Sequence, residues 1–158
     1  MHGQADQNLN MNFLGPSSPL RVLYVEDHAD TAEVFTKALE TRGYRVQVAP
    51  DCQTALTLVR QSRFDLLVCD MILPDGNGCD LLSRLREQAG PQDVRAIALS
   101  AHGMVNAVAR AQAAGYDAYV LKPVEMEELF GIIEAVWRSN RVHFSPTQPL
   151  VAVGGRTT

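Results

Sequence analysis

From Leu20 to Trp137 the chain alternates short apolar runs with segments whose apolar residues recur every three or four positions. Such a succession predicts strands and helices in strict alternation. Strands are expected over 22–25, 44–49, 66–70, 96–100 and 118–122. Four of them are continuously apolar, as strands buried on both faces of a parallel sheet must be. The second alternates around Arg45 and Gln47 and reads as a half-exposed edge. The first helix is predicted from near Asp30 or Thr31, with apolar pairs Val34/Phe35 and Ala38/Leu39 and a stop at Gly43. A second, capped by Asp51, carries Ala55, Leu56 and Val59. The stretch 73–78, Leu-Pro-Asp-Gly-Asn-Gly, predicts a loop. A third helix with Leu81, Leu82 and Leu85 is broken by Gly90-Pro91. A fourth, 105–114, is closed by Gly115, and a last helix buries Leu129, Phe130, Ile132, Ile133, Val136 and Trp137. This pattern predicts an α/β fold, a three-layer doubly wound sandwich on a five-stranded parallel sheet. The edge-like second strand favours the flavodoxin-like order 2-1-3-4-5, with its switch point between the first and third strands.

Each buried strand ends on a polar residue: Glu26 and Asp27, Asp70, Ser100, and Lys122. In an open parallel sheet the carboxyl ends share one edge. Three acids, a hydroxyl and an ammonium should therefore converge, although 96 positions separate Glu26 from Lys122. Packed carboxylates repel one another and call for a hard divalent cation such as Mg2+. A lysine, a hydroxyl and a metal around one carboxylate are also what stabilises a phosphoryl group in transfer.

The length of 158 residues allows one domain with tails, and 46% apolar composition suffices for one core. Net charge near -4 argues against a basic nucleic-acid face. Cys52, Cys69 and Cys79 form no ligand spacing and read as small reduced thiols. The N-terminus has no signal-peptide pattern and no segment reaches membrane-span length, so a cytoplasmic protein without membrane attachment is expected. Residues 1–19 predict a flexible extension ending in Gly15-Pro16-Ser17-Ser18-Pro19, residues 20–138 the domain, and residues 139–158 a flexible tail.

The chain resembles the receiver domains of two-component response regulators and hybrid histidine kinases. The resemblance rests on Val22-Leu23-Tyr24-Val25-Glu26-Asp27, Asp70 with Leu73-Pro74 and Gly78, Ser100-Ala101, Ala113-Ala114-Gly115-Tyr116-Asp117-Ala118-Tyr119 and Lys122-Pro123. The gaps of 43, 30 and 22 positions from Asp27 to Asp70 to Ser100 to Lys122 make the set specific. It implies that Asp70 accepts a phosphoryl group from a phosphohistidine on a sensor kinase or histidine phosphotransfer protein. Asp27, Asp70 and the Met71 carbonyl would bind Mg2+, with Glu26 acting through water. Lys122 and Ser100 would assist transfer, Ser100 and Tyr119 would form the switch, and Ile72 and His102 would flank the phosphoryl group. A cis Lys122-Pro123 bond and a dimer on activation belong to the same expectation. So does a signalling switch, rather than an enzyme with an external substrate, that assists its own phosphorylation and dephosphorylation.

Three other readings compete. A flavodoxin-like electron carrier needs a phosphate cradle after the first strand, where Glu26-Asp27-His28-Ala29-Asp30 stands instead. A hydrolase of the aspartyl-phosphate type needs a second acid two residues after Asp70, where Ile72 sits. A phosphorylation-independent scaffold has no use for the complete polar set. His28, with no second histidine nearby in sequence, reads as solvent-exposed.

Overall fold

The computed structural model describes residues 19–89, 94–101, 105–138 and 152–153. All but Pro19 of the expected N-terminal extension, most of the expected tail, and His102 lie outside the described residues. In chain order the elements are β1 (Arg21–Val25), α1 (Ala29–Thr41), β2 (Arg45–Ala49), α2 (Cys52–Gln61), β3 (Leu66–Asp70), β4 (Ile72–Leu73), β5 (Gly76–Asn77), α3 (Gly78–Ala89), β6 (Arg95–Ser100), α4 (Val105–Ala114), β7 (Ala118–Leu121), α5 (Met126–Arg138) and β8 (Ala152–Val153).

The main sheet runs β2-β1-β3-β6-β7-β8 and is parallel throughout. Its first five strands are the predicted set in the predicted order. Two details differ from the sequence reading. The stretch read as a loop after β3 contains a small antiparallel hairpin, Ile72↔Asn77 and Leu73↔Gly76. A two-residue strand from the expected tail also pairs with β7.

Side chains from alternate strand positions feed two cores. Leu23, Val25, Leu67, Cys69, Ala96, Ala98 and Tyr119 meet α2, α3 and α4 on one face. Val22, Tyr24, Leu66, Val68, Ile97, Leu99 and Val120 meet α1 and α5 on the other. With both faces covered, the inner positions of the central strands are apolar on both sides, which is why no alternation shows in those runs. Burial of each leucine among them stabilises the fold by about 2 kcal/mol. β2, at the edge, keeps the alternation, with Arg45 and Gln47 exposed.

Helix ends follow local chemistry. Asp51 caps α2 by accepting from Thr54 N at 2.7 Å. At the end of α1, Gly43 N donates to Glu40 O and Tyr44 N to Leu39 O, a Schellman closure with Gly43 at φ +91°. Gly115 closes α4 in the same way at φ +103°, through Gly115 N to Gln112 O and Tyr116 N to Ala111 O. Of the expected core residues, Val34 is turned outward, and Phe35, Ala38, Val59, Ile132 and Trp137 are only partly buried. Val34 is 62% exposed, because the sheet-facing stripe of α1 runs through Ala32, Phe35 and Leu39.

Candidate functional site

The carboxyl ends of β1, β3, β6 and β7 open into a crevice of about 630 Å³, lined by Glu26, Asp27, Asp70, Ile72, Ser100 and Lys122 among others. It lies where the chain reverses direction across the sheet, between β1 and β3. One carboxylate oxygen each from Glu26, Asp27 and Asp70 lies within 4.8 Å of the others. Lys122 Nζ donates to Asp70 Oδ2 at 3.2 Å and reaches both Glu26 oxygens at 3.4 Å. The Lys122-Pro123 bond is cis, as the resemblance implies. Ser100 is buried at the end of β6, and its carbonyl accepts the Lys122 N–H at 2.7 Å. Tyr119 is fully buried on β7, beside Ala98 of β6 in the ladder.

Burial grades the site. Glu26 is 1% exposed, the Asp70 side chain 13%, and Asp27 lies open to solvent. Desolvation, reinforced by a hydrogen bond with Asp70, pushes the Glu26 carboxyl up to about 7 against the pull of Lys122. One ammonium therefore does not balance three clustered acids. The oxygen-only donor set and its excess negative charge fit a hard divalent ion such as Mg2+. Tyr24, on the same face of β1 as Glu26, buries a hydroxyl that has no hydrogen-bond partner among the described residues.

Among the described site residues, Tyr119 does not line the crevice, and neither does Met71. Its carbonyl accepts the Gly78 N–H at 3.1 Å, which closes the base of the hairpin. Hydrogen-bonded and non-bonded pairs alternate in an antiparallel ladder, so the next pair, Ile72/Asn77, turns its backbone groups outward. Ile72, which is 63% exposed, lines the crevice. His28 is exposed at the N-terminal end of α1, as expected for a solvated residue.

Sequence reasoning missed Asp75. Its carboxylate accepts from Cys52 N at 2.8 Å and Gln53 N at 3.0 Å, pinning the hairpin to the start of α2. The Pro74-Asp75-Gly76 signal had pointed only to a turn. None of the thiols is poised to react: burial pushes Cys52 up to about 12 and raises Cys69 and Cys79 as well. Among the described residues no helix is long and apolar enough to cross a membrane.

A family model of the response regulator receiver domain matches residues 22–134. The DNA-binding response regulator MtrA of Mycobacterium leprae is 36% identical over 120 residues, covering 76% of this chain and 52% of that protein. The chain thus spans about half the length of that relative. The non-phosphorylated HemR receiver domain from Leptospira biflexa is similar with a TM-score of 0.70 and 32% identity, covering 79% of this chain and 99% of that one. A response regulator from Burkholderia pseudomallei, described with a phosphorylated aspartic acid and a calcium ion, aligns with a TM-score of 0.65 and 25% identity, covering 73% and 71%. Fold, polar crevice and sequence likeness agree: the chain belongs to the receiver domains of response regulators, the signalling switches of two-component systems.

Proposed function

We propose that Asp70 is the phosphoacceptor of this receiver, taking its phosphoryl group from a phosphohistidine on a histidine kinase or phosphotransfer protein. The observation that carries the reading is the 3.2 Å contact of Lys122 Nζ with Asp70 Oδ2, inside a crevice that holds two further acids. An Asp70 oxygen attacks phosphorus, the P–N bond breaks, and the imidazole of the donor leaves and takes up a proton. In this reading Lys122 balances charge on the phosphoryl oxygens, and Ser100 donates a hydrogen bond to one of them. Glu26 and Asp27, with Asp70 and the outward carbonyl of Ile72 in place of that of Met71, would hold a divalent ion. When bound, that ion supplies positive charge to the transferring group and relieves the repulsion among the acids.

The consequence of transfer is a shift in a two-state element. Ser100 O holds the Lys122 N–H, so β6 and β7 are joined at the site itself. A phosphoryl group drawing Ser100 inward biases the position of β7 and Tyr119, and with them the face formed by α4, β7 and α5. The chain thereby assists its own phosphorylation and dephosphorylation and has no external substrate to turn over. A receiver working in this way is a cytoplasmic protein, and the switched face would serve a protein partner or a second copy.

Incubation with acetyl phosphate and Mg2+, followed by intact mass spectrometry, tests the reading. Wild type should gain one phosphoryl group, lose it on treatment with hydroxylamine, and gain none when the metal is chelated. Asp70→Asn should gain none. Labelling of Asp70→Asn equal to wild type would overturn the assignment.

A further inference from the structure

The outer edge of β7 carries a second structural message. Lys122 donates its N–H toward β6, so Val120, two positions earlier, turns its N–H and C=O the same way. Tyr119 and Leu121 therefore turn theirs to the opposite side, away from β6. Tyr119 is wholly buried, and buried backbone groups need partners. The partner strand on that side is β8, parallel to β7 with Tyr119↔Ala152 and Val120↔Val153. In a parallel ladder a residue bonds to the positions on either side of its Cα partner. That offset sets the Val153 N–H against the Tyr119 carbonyl, and the Val153 carbonyl against the Leu121 N–H. The sequence supports the pairing: Leu150-Val151-Ala152-Val153 is an apolar run bounded by Pro149 and Gly154-Gly155, the composition of a short strand.

We propose that the outer edge of β7 is a docking edge for an extended apolar segment, which the chain's own Ala152–Val153 fills in cis as a displaceable strap. Two residue pairs make a ladder well short of the usual strand. It is therefore weak enough to open while still covering the edge. An uncovered edge recruits foreign strands, and strand addition is a recurrent way of recognising peptides. A partner reading the Tyr119 side of the sheet by strand addition must first displace the strap. The inference rests on the pairing of β7 and β8 and is independent of the chemistry at Asp70.

Amide hydrogen exchange, read by NMR on the full chain, tests it. In wild type the Tyr119 and Leu121 amides should exchange slowly. Val153→Pro deletes the N–H that pairs with Tyr119, and should speed both amides by about tenfold or more. Val153→Thr keeps the N–H and the β-branch and should match wild type. Unchanged exchange at Val22 and Val68 will show that the sheet itself is intact. Excess synthetic peptide Pro149-Leu150-Val151-Ala152-Val153-Gly154 should restore protection to Val153→Pro. Equal exchange in wild type and Val153→Pro, loss of protection in Val153→Thr, or failure of the peptide to restore it would each overturn the proposal.

Discussion

Glu26 is the residue in which burial and charge meet most sharply. Its carboxyl is pushed up to about 7 from an ordinary 4.5, so the folded chain holds that proton more tightly than the unfolded one. The stability due to Glu26 is therefore complete below about pH 4.5 and is lost as pH rises through about 7. Urea unfolding without metal should show stability falling across that range in wild type and a flatter profile in Glu26→Gln. Equal slopes in the two proteins would mean that Glu26 does not carry the effect. Mg2+ should raise the unfolding midpoint more at about pH 8 than at about pH 5, because protons and the metal compete for the same acids. Ile72 sets a different property. Exposed over the crevice and unable to orient water, it should shield the acyl phosphate and give it a lifetime of minutes rather than seconds. Ile72→Asn should shorten that lifetime severalfold when phosphate release is followed after removal of the donor. A lifetime that is unchanged or longer would contradict the shielding role.

The hairpin β4–β5 and the pair β6–β7 connect the site to the rest of the fold. Asp75 holds the hairpin to α2, so Asp75→Ala should raise hydrogen exchange at the Cys52 and Gln53 amides. The same substitution should shorten the phosphoryl lifetime by loosening Ile72. Wild-type exchange at both amides would show that the carboxylate does not pin the hairpin. On the other side, beryllofluoride with Mg2+ should alter exchange in α4, β7 and α5, beyond the loops that touch the ligand. Changes confined to the loops bearing Asp27 and Ile72 would argue against a switched face. Much of this element-scale picture was legible in the sequence. Alternating apolar runs located five strands, and Asp51, Gly43 and Gly115 marked helix ends through cap and turn chemistry. Other features were not legible, because they depend on who faces whom. The hairpin register, which engages the Met71 carbonyl and turns the backbone groups of Ile72 outward, shows only in one bond, Gly78 N to Met71 O. The Asp75 cap spans 23 positions to Cys52 and looks like an ordinary turn residue in one dimension. The exposure of Val34 follows from the rotation of α1 on the sheet, which an apolar pair alone does not fix.

For the whole molecule, the order β2-β1-β3-β6-β7 follows from one edge-like strand, continuous burial elsewhere and right-handed crossovers. That topology gathers residues 96 positions apart into one crevice, and the candidate site was legible because each polar residue ends an apolar run. β8 was not legible because Ala152 and Val153, in a short apolar run among prolines and glycines, carry little signal without the edge they pair with. The central claim is that this assembly directs a phosphoryl group to one carboxylate, and position-resolved trapping tests it most directly. After phosphorylation from acetyl phosphate with Mg2+, borohydride reduces an aspartyl phosphate to homoserine, and peptide mass spectrometry locates it. Homoserine should appear at position 70 alone, and vanish when the metal is chelated or in Lys122→Ala. Homoserine at Asp27 or at another acid in place of Asp70, or equal yield at position 70 without the metal, would contradict the account.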